Sequence, residues 1–500
     1  MGHLLGIDVG TTGARAIVVD TADGRVVAGA TSDYPLHTPR PLWAEQDPDD
    51  WWRGAASAVR EAVAAARAAG PLEITGVGLS GQMHGVVLVD GAGRPLGRSL
   101  IWCDGRTQDE CDEIESRVGP ERLIELTSNP ALTGFSAPKL LWLRRHQPRE
   151  YEKARRFLLP KDYVRLRLTG EYASEVSDAS GTLLFDVAHR KWSDEVARLL
   201  DLDPALLPPV FESAVVSGEV SASVGSELGV PAGTPVVGGG GDQAAGAVGA
   251  GIVRAGTVSS TIGSSGVVFA HAAEPVRDAR GRVHTFCHAV PGAWHVMGVT
   301  QGAGLSLRWF RDQVAGGAPY ETLTEEAARV PAGSEGLWFL PYLMGERTPH
   351  LNPRARGVWF GLTAAHTRAH LARSVLEGVT YSLKDCLDVL TAMGLPISEV
   401  RAGGGGGRSA LWRQIQADVF GREVIALQAA EGPAYGAALL AGVGTGAWGS
   451  VAEACDACVR VAGRTPPDAA AHAAYQRGLA VYRRIYEQVA PLYADGAGLS

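Results

Sequence analysis

Cysteine is scarce in this chain: six in 500 residues, at positions 103, 111, 287, 386, 455 and 458. So few over such a length excludes a disulfide-stapled scaffold, which packs cysteines densely into a short chain. Cys455 and Cys458 form a lone C-x-x-C. A zinc site needs four ligands, and no second Cys or His pair stands at matching spacing, so the two read as small helical hydrophobes. Long apolar runs are missing as well. No stretch reaches the ~20 apolar residues of a membrane span. The opening Met1-Gly2-His3-Leu4-Leu5-Gly6 lacks the basic region and apolar run of a signal peptide. Gly6, where Ser or Thr would be needed, excludes N-myristoylation. A cytoplasmic protein without membrane attachment is expected. A basic excess is also lacking: Lys and Arg number 46 against 54 Asp and Glu, a net charge of −8, the wrong sign for a nucleic-acid binder.

What is present is apolar material for a folded protein. Hydrophobic residues make up 46% and charged residues 20%, a globular composition, and 500 residues exceed the usual single domain, so two are expected. Glycine stands out at 64 residues. It clusters after apolar runs, at 238–241, 263–266 and 403–407, rather than in a linker.

The first residues read as strand, turn, strand: Leu4 to Val9, Gly10-Thr11-Thr12-Gly13, then Ala14 to Val19, with a third strand from Arg25 to Ala30. Asp47 and Pro48 open a helix that Gly70 stops. Ile74 to Leu79 is a buried strand leading into Ser80-Gly81-Gln82-Met83-His84. The second half repeats the device. Thr257 to Ile262, the turn Gly263-Ser264-Ser265-Gly266 and Val267 to Ala270 form another strand–turn–strand. A Ser/Gly/Val/Pro-rich passage at 213–237 suits a domain connection, and the boundary is placed near 236, giving units 1–236 and 237–500.

Several segments carry chemistry. In Asp8-x-Gly10-Thr11-Thr12-Gly13 the glycines allow successive N–H groups to converge into an anion-binding nest, and the threonines add hydroxyl donors. Asp8 beside such a nest is placed to hold Mg²⁺, directly or through water. Alone, the segment is as readily an ordinary hairpin turn with a capping Asp. The presence of a second such turn, Gly263-Ser264-Ser265-Gly266, suggests two turns closing on one phosphate chain. Gly238–Gly241 precedes Asp242-Gln243 at a helix start, which suits a general base for a substrate hydroxyl and suits equally a plain N-cap. Gly403–Gly407 lies between Val400 and a helical pattern through Leu411, Ile415 and Val419. A nucleotide approach surface is favoured there over a linker. It is not a Walker A loop, since no G-K-[ST] follows.

These residues together give a resemblance. Gly134-Phe135-Ser136-Ala137-Pro138-Lys139-Leu140-Leu141-Trp142-Leu143-Arg144-Arg145-His146 is similar to the first sequence pattern of the FGGY carbohydrate kinases, within the actin/hexokinase-like ATPases. Gly357-Val358-Trp359-Phe360-Gly361-Leu362 and His370-Leu371-Ala372-Arg373-Ser374-Val375-Leu376-Glu377 resemble the second. The similarity runs over nearly the whole chain. It implies an α/β protein of two ribonuclease-H-like (actin/hexokinase-type) domains with a deep interdomain cleft, and ATP-dependent phosphorylation of a sugar.

Within the family, Gly81-Gln82-Met83-His84-Gly85 resembles the members acting on D-xylulose, where glycerol-specific members have Arg-Glu. Ile101-Trp102-Cys103-Asp104-Gly105-Arg106 resembles the W-x-D-x-R segment of sugar-specific members. For Trp102, Asp104 and Arg106 a structural role stands level with contact. The resemblance implies catalysis by Asp242 as base and Asp8 on Mg²⁺. It implies sugar against Met83, His84, Trp102, Asp104, Asp242 and Gln243. Thr11, Thr12, Gly13, Gly263 and Ser264 would meet the phosphates, with Gly304, Gly405 and Ser409 near the nucleoside. Glu346 and Arg347 are expected to brace a loop, and Tyr475, Tyr482 and Tyr486 to pack a C-terminal helix. Partners are then a sugar and ATP, with no nucleic acid or membrane, and a homodimer is left open. Another sugar or polyol (ribulose, gluconate, an alditol) and, more remotely, a non-metabolic actin-like ATPase remain alternatives. No peptide-binding module is expected after about residue 490, and strand one starting at residue 4 leaves no room for a DNA-binding helix pair.

Overall fold

The computed structural model describes residues 2–428 and 432–495. The run Leu4–Val9 is apolar almost throughout, as a strand covered on both faces must be. It forms the strand His3–Val9, paired antiparallel with Gly13–Asp20, which pairs in turn with Val26–Asp33. On its other side lies Ile74–Gly81, parallel to it. Pro235–Val237 and Gly240–Gly241 pair parallel with Ile74–Gly81, and Val216–Glu219 closes the edge antiparallel. The helix Pro48–Ala69 starts where its signals place it, with the Asp47 carboxylate accepting from Asp49 N–H at 2.9 Å. Its apolar stripe, including Trp51, Val59 and Val63, packs on this sheet.

The second sheet repeats the plan. Gly256–Ile262 and Gly266–Ala272 form the hairpin, Trp294–Thr300 and His284–Cys287 extend it antiparallel, and Ile397–Gly403 and Val424–Leu427 continue it parallel. Val461–Thr465 closes that edge antiparallel. In both sheets, therefore, a hairpin's first strand sits in the interior beside a parallel neighbour. The loop of each hairpin emerges at the carboxyl end of that strand, where ligands of open α/β sheets collect. The buried helix Arg368–Ala392 forms the spine of the second core, against which Tyr475 and Tyr482 of the C-terminal helix Ala469–Val489 are fully buried. The tyrosine hydroxyls bond Glu377 and Tyr342, at 2.7 Å each, so this is packing.

The boundary expected near 236 falls within a strand of the first sheet, Pro235–Val237. The chain leaves that sheet only after Gly241, over the helix Asp242–Gly249. The helices Pro433–Gly444 and Val451–Cys458, late in the sequence, pack with Leu4, Ile17, Val19 and Val237 of the first sheet. Cys455 and Cys458 are buried in that apolar layer. Small side chains at Ala434, Ala438 and Ala441 let the first of these helices lie close to the strands. A separate apolar cluster joins Met83, Phe135 and Leu184 to Phe269, Phe286 and Met297, and so links the two halves beneath the space between them. No helix among the described residues is long and apolar enough to cross a membrane.

Candidate active site

The first turn is held from behind. Gly10 N–H closes on Gly13 O at 3.0 Å. The Gly10 carbonyl accepts from Tyr34 Oη (2.5 Å) and Gln82 Nε2 (3.2 Å), and the Thr11 carbonyl from Gln46 Nε2 (2.7 Å). Gln46 and Gln82 are buried and bonded to each other at 2.7 Å. With carbonyls tied inward, Thr12 stays exposed at the tip. Asp8 lies in register with Arg15 on one neighbouring strand and Ser80 on the other. Burial pushes its carboxyl up to about 6, against the lowering influence of Ser80 and the Arg15 charge. Its Oδ1 is buried with no hydrogen-bond partner in the protein.

Three glycine segments converge at the second turn. Gly304 N–H donates to Gly263 O at 2.8 Å, and Ala303 and Leu305 N–H donate to Ser264 O at 3.1 and 3.0 Å. Gly404 has φ +68°, and a Cβ on it would stand 2.4 Å from Ile262 O, so only glycine lets the 403–407 segment lie against this turn. Gly263, Ser264 and Gly405 are exposed on the resulting surface. Ser409 Oγ accepts from Trp412 N–H at 3.3 Å and caps the helix Ala410–Phe420 that follows this segment.

Asp242 begins the helix Asp242–Gly249, directly after Gly240–Gly241 has paired with Ser80–Gly81. The approach depends on Gly239, whose φ is +74° and whose Cβ would fall 1.9 Å from Leu79 O. Burial and the nearby Asp8 charge raise the Asp242 carboxyl to about 7, with hydrogen bonding from Gln243 opposing. A carboxyl poised there exchanges a proton near neutral pH.

Asp242 and Gln243 line a cavity of about 290 Å³, at the small end of ligand sites. Met83, His84 and Trp102 from the first half face Ser265, Val267 and Met297 from the second across it. His84 sits at φ +70°, a strained backbone for a non-glycine residue that surrounding contacts must enforce. Its Nδ1 meets Gly181 O at 2.6 Å, its carbonyl accepts from Lys139 Nζ (3.0 Å) and Ser136 Oγ (3.2 Å), and its ring stands edge-on to Phe135 at 4.8 Å. Burial lowers its pKa to about 3, only partly opposed by Gly181 O, with the Lys139 and Arg347 charges adding to the drop. Because a carbonyl only accepts, the neutral ring carries its proton on Nδ1, which leaves Nε2 as an acceptor. Trp102 connects cavity and first turn, with Nε1 donating to Thr11 Oγ1 at 2.9 Å.

Two expectations change. Asp104 does not line the cavity: it is buried, accepts from Ala44 N–H at 2.7 Å and pairs with Arg106 at 2.6 Å. Arg106 also bonds Glu45 (2.8 Å) and lies 3.5 Å over the Trp43 ring, so Asp104 and Arg106 form the frame behind the site. Arg347, expected to brace a loop, lines the cavity instead, while Glu346 does the bracing: it accepts from Thr300 Oγ1 (2.6 Å), Gln301 N–H (3.0 Å) and Arg347 N–H (2.7 Å). Leu132, Phe135, His284 and Phe286 also line the cavity. Phe135 lies inside the first family-like pattern. The other three carry no local signal.

Two sheets of one plan, each with a glycine turn at its strand ends, and an acid-bearing cavity between them define a two-domain α/β protein with its candidate ligand site between the sheets. The chain matches the FGGY family of carbohydrate kinases, its N-terminal domain over residues 3–249 and its C-terminal domain over 258–445. It therefore belongs to that family and is a carbohydrate kinase. It is 42% identical to the xylulose kinase of Escherichia coli over 98% of this chain and all of that one. It is 31% identical to the gluconokinase of Bacillus subtilis over 89% of this chain and 88% of the relative. The crystal structure of xylulose kinase from Rhodospirillum rubrum superposes with a TM-score of 0.92 at 32% identity, covering 98% of this chain and all of that one. The fold is thus the pair of actin/hexokinase-like domains that such kinases share.

Proposed function

We propose that this protein transfers the γ-phosphoryl group of ATP to the O5 hydroxyl of D-xylulose, yielding D-xylulose 5-phosphate and ADP. The observation that carries this reading is the cavity in which Asp242, with a carboxyl raised to about 7, faces the neutral His84 imidazole beside Met83. Its likeness to the xylulose kinase of Escherichia coli over nearly the whole chain supports the choice of sugar.

Phosphoryl transfer asks mainly for alignment and charge neutralisation. In this reading His84 Nε2 accepts from one sugar hydroxyl and orients the chain of carbons. Asp242, ionised, takes the proton of O5 as that oxygen attacks phosphorus; the bond from phosphorus to the bridging oxygen of ADP breaks. Thr11, Thr12 and Gly13 from one side, and Gly263 and Ser264 from the other, hold the polyphosphate, with Gly304 and Gly405 on the nucleoside side. The pairing of Trp102 with Thr11 ties the sugar's position to that of the phosphates. Movement of the two halves together would exclude water, which otherwise competes as acceptor.

Asp8 fits a divalent cation. Its buried Oδ1 has no protein partner, and a hard oxygen donor next to a phosphate turn is what Mg²⁺ takes. Among the described residues no three His, Cys, Asp or Glu side chains gather to hold a metal by themselves, so the ion would share Asp8 with the nucleotide's own oxygens. When bound, it would supply charge neutralisation on the transferred group. A coupled ADP-release assay over ketoses, aldonates and polyols tests the reading: D-xylulose is expected to give the highest kcat/KM. Glycerol or gluconate outperforming it would refute the sugar assignment and leave the kinase assignment standing.

A further inference from the structure

We infer that Arg347 is the residue that reads the carbonyl of the sugar, with His284 reading a neighbouring hydroxyl, so that this site selects a ketose over the matching polyol. The inference rests on the sugar-kinase reading above and goes beyond it.

The polarity of the cavity wall can be worked out atom by atom. His284 Nδ1 lies 2.9 Å from Asn129 Oδ1, and the orientation of that amide is fixed because its Nδ2 donates to Thr127 O and Thr285 O, both at 2.9 Å. An amide oxygen only accepts, so His284 also carries its proton on Nδ1. Burial, with the Arg347 charge and His84 adding to it, lowers its pKa to about 3, so the ring is neutral. The ring lies parallel to Phe286 at 5.8 Å and edge-on to Phe135 at 5.7 Å. His84 and His284 therefore both keep Nε2 lone pairs, and the single N–H of each is spent on Gly181 O and Asn129 Oδ1.

Gln243, Ser265 and Arg347 can donate from the wall, and of these only Arg347 is charged. The residues flanking it are buried and pinned: Glu346 by the three bonds given above, and Thr348 by its N–H to Val299 O (3.0 Å), its Oγ1 from Val299 N–H (3.0 Å) and its Oγ1 to Arg282 O (2.6 Å). Between them Arg347 stays exposed at the cavity wall, and among the described residues its guanidinium has no hydrogen-bonded or ion-paired acceptor. Its five N–H groups, open to solvent in the free site, need acceptors once a sugar displaces that solvent. A ketone oxygen, which only accepts, satisfies them. A hydroxyl in its place could still accept, but its own hydrogen would compete with the neighbouring hydroxyls for the His84 and His284 lone pairs. An unmatched buried donor costs about tenfold to hundredfold in affinity.

The test compares D-xylulose with xylitol and D-arabinitol, the two pentitols formed by its reduction at C2. Sugar binding by calorimetry without nucleotide, and kcat/KM by ADP release, are measured on wild type, Arg347→Met, Arg347→Lys and His284→Phe. Wild type should prefer the ketose by about tenfold or more. Arg347→Met should collapse that ratio towards one, with ATP affinity unchanged. Arg347→Lys, which keeps the charge without the planar fork, should fall between, and serves if the Met variant does not fold. His284→Phe should weaken ketose and pentitols in parallel, because both offer the hydroxyl. A ratio unaltered by Arg347→Met overturns the inference, as does a selective loss of gluconate binding with the ketose-to-pentitol ratio intact, which would make Arg347 a carboxylate reader. A wild type that binds D-xylulose without phosphorylating it refutes the proposed function instead, and the binding ratio still decides the role of Arg347.

Discussion

Asp242→Asn separates the chemistry of the site from its cost to the fold. The wild-type carboxyl is raised from 3.8 to about 7, by burial first and the Asp8 charge second. At roughly 1.4 kcal/mol per unit, three units set an upper bound of about 4 kcal/mol on the cost of holding this group ionised in the folded protein. A group with a raised folded pKa contributes stability that is complete below its unfolded pKa, near 4, and is lost as pH rises through 7. Asparagine has the same shape and no charge, although its amide still pays for burial, so a gain of about 1–2 kcal/mol at pH 8 is expected. In a domain of this size that is a rise of roughly 2–8 °C in Tm. At pH 5, where the folded carboxyl is protonated but the unfolded one is still largely ionised, the difference should shrink, and it should vanish only below about pH 4. Turnover should move the other way, with kcat falling about 10²–10⁴-fold when the base is removed. In the wild type, kcat/KM for the sugar should drop as pH falls through about 7. Scanning calorimetry of the ligand-free proteins at both pH values, with ADP-release kinetics, measures all of this. A variant turning over within tenfold of wild type, or one equally destabilised at pH 5 and 8, would refute the assignment of Asp242 as a buried, poised base.

The two turns make a paired prediction: Thr12→Val and Ser264→Ala should each weaken ATP binding while sugar binding without nucleotide stays near wild type by calorimetry, and equal loss of both ligands would point away from a shared polyphosphate site. His84→Ala should raise the sugar KM about ten- to hundredfold by removing an acceptor, with ATP affinity retained; an unchanged KM in steady-state assays counts against it. Asp104→Asn should act on stability rather than on the sugar, costing about 1–3 kcal/mol in denaturant unfolding because it takes from the buried Arg106 one of its two carboxylate partners and leaves Glu45 alone. A stable variant with a selectively raised KM would return Asp104 to the sugar site.

The local sequence was enough to determine both hairpins, their glycine turns and the helix opened by Asp47 and Pro48. Each depends on contacts a few residues apart: turn glycines, a capping carboxylate, an apolar run. The position of Asp242 after Gly238–Gly241 was legible for the same reason, since the glycines that allow close approach adjoin the residue they deliver. The frame role of Asp104 was not, because what it bonds, Ala44 and Arg106 stacked on Trp43, is fixed by the packing of a distant loop. Nor was the proton position on His84, decided by a carbonyl 97 residues away. Leu132, His284, Phe286 and Arg347 reach the cavity from separate stretches of the chain and belong to no short motif. Only tertiary structure decided what lines the cavity, because its wall is assembled across domains, and the burial and hydrogen bonding that set each group's charge and tautomer exist only once both halves have folded.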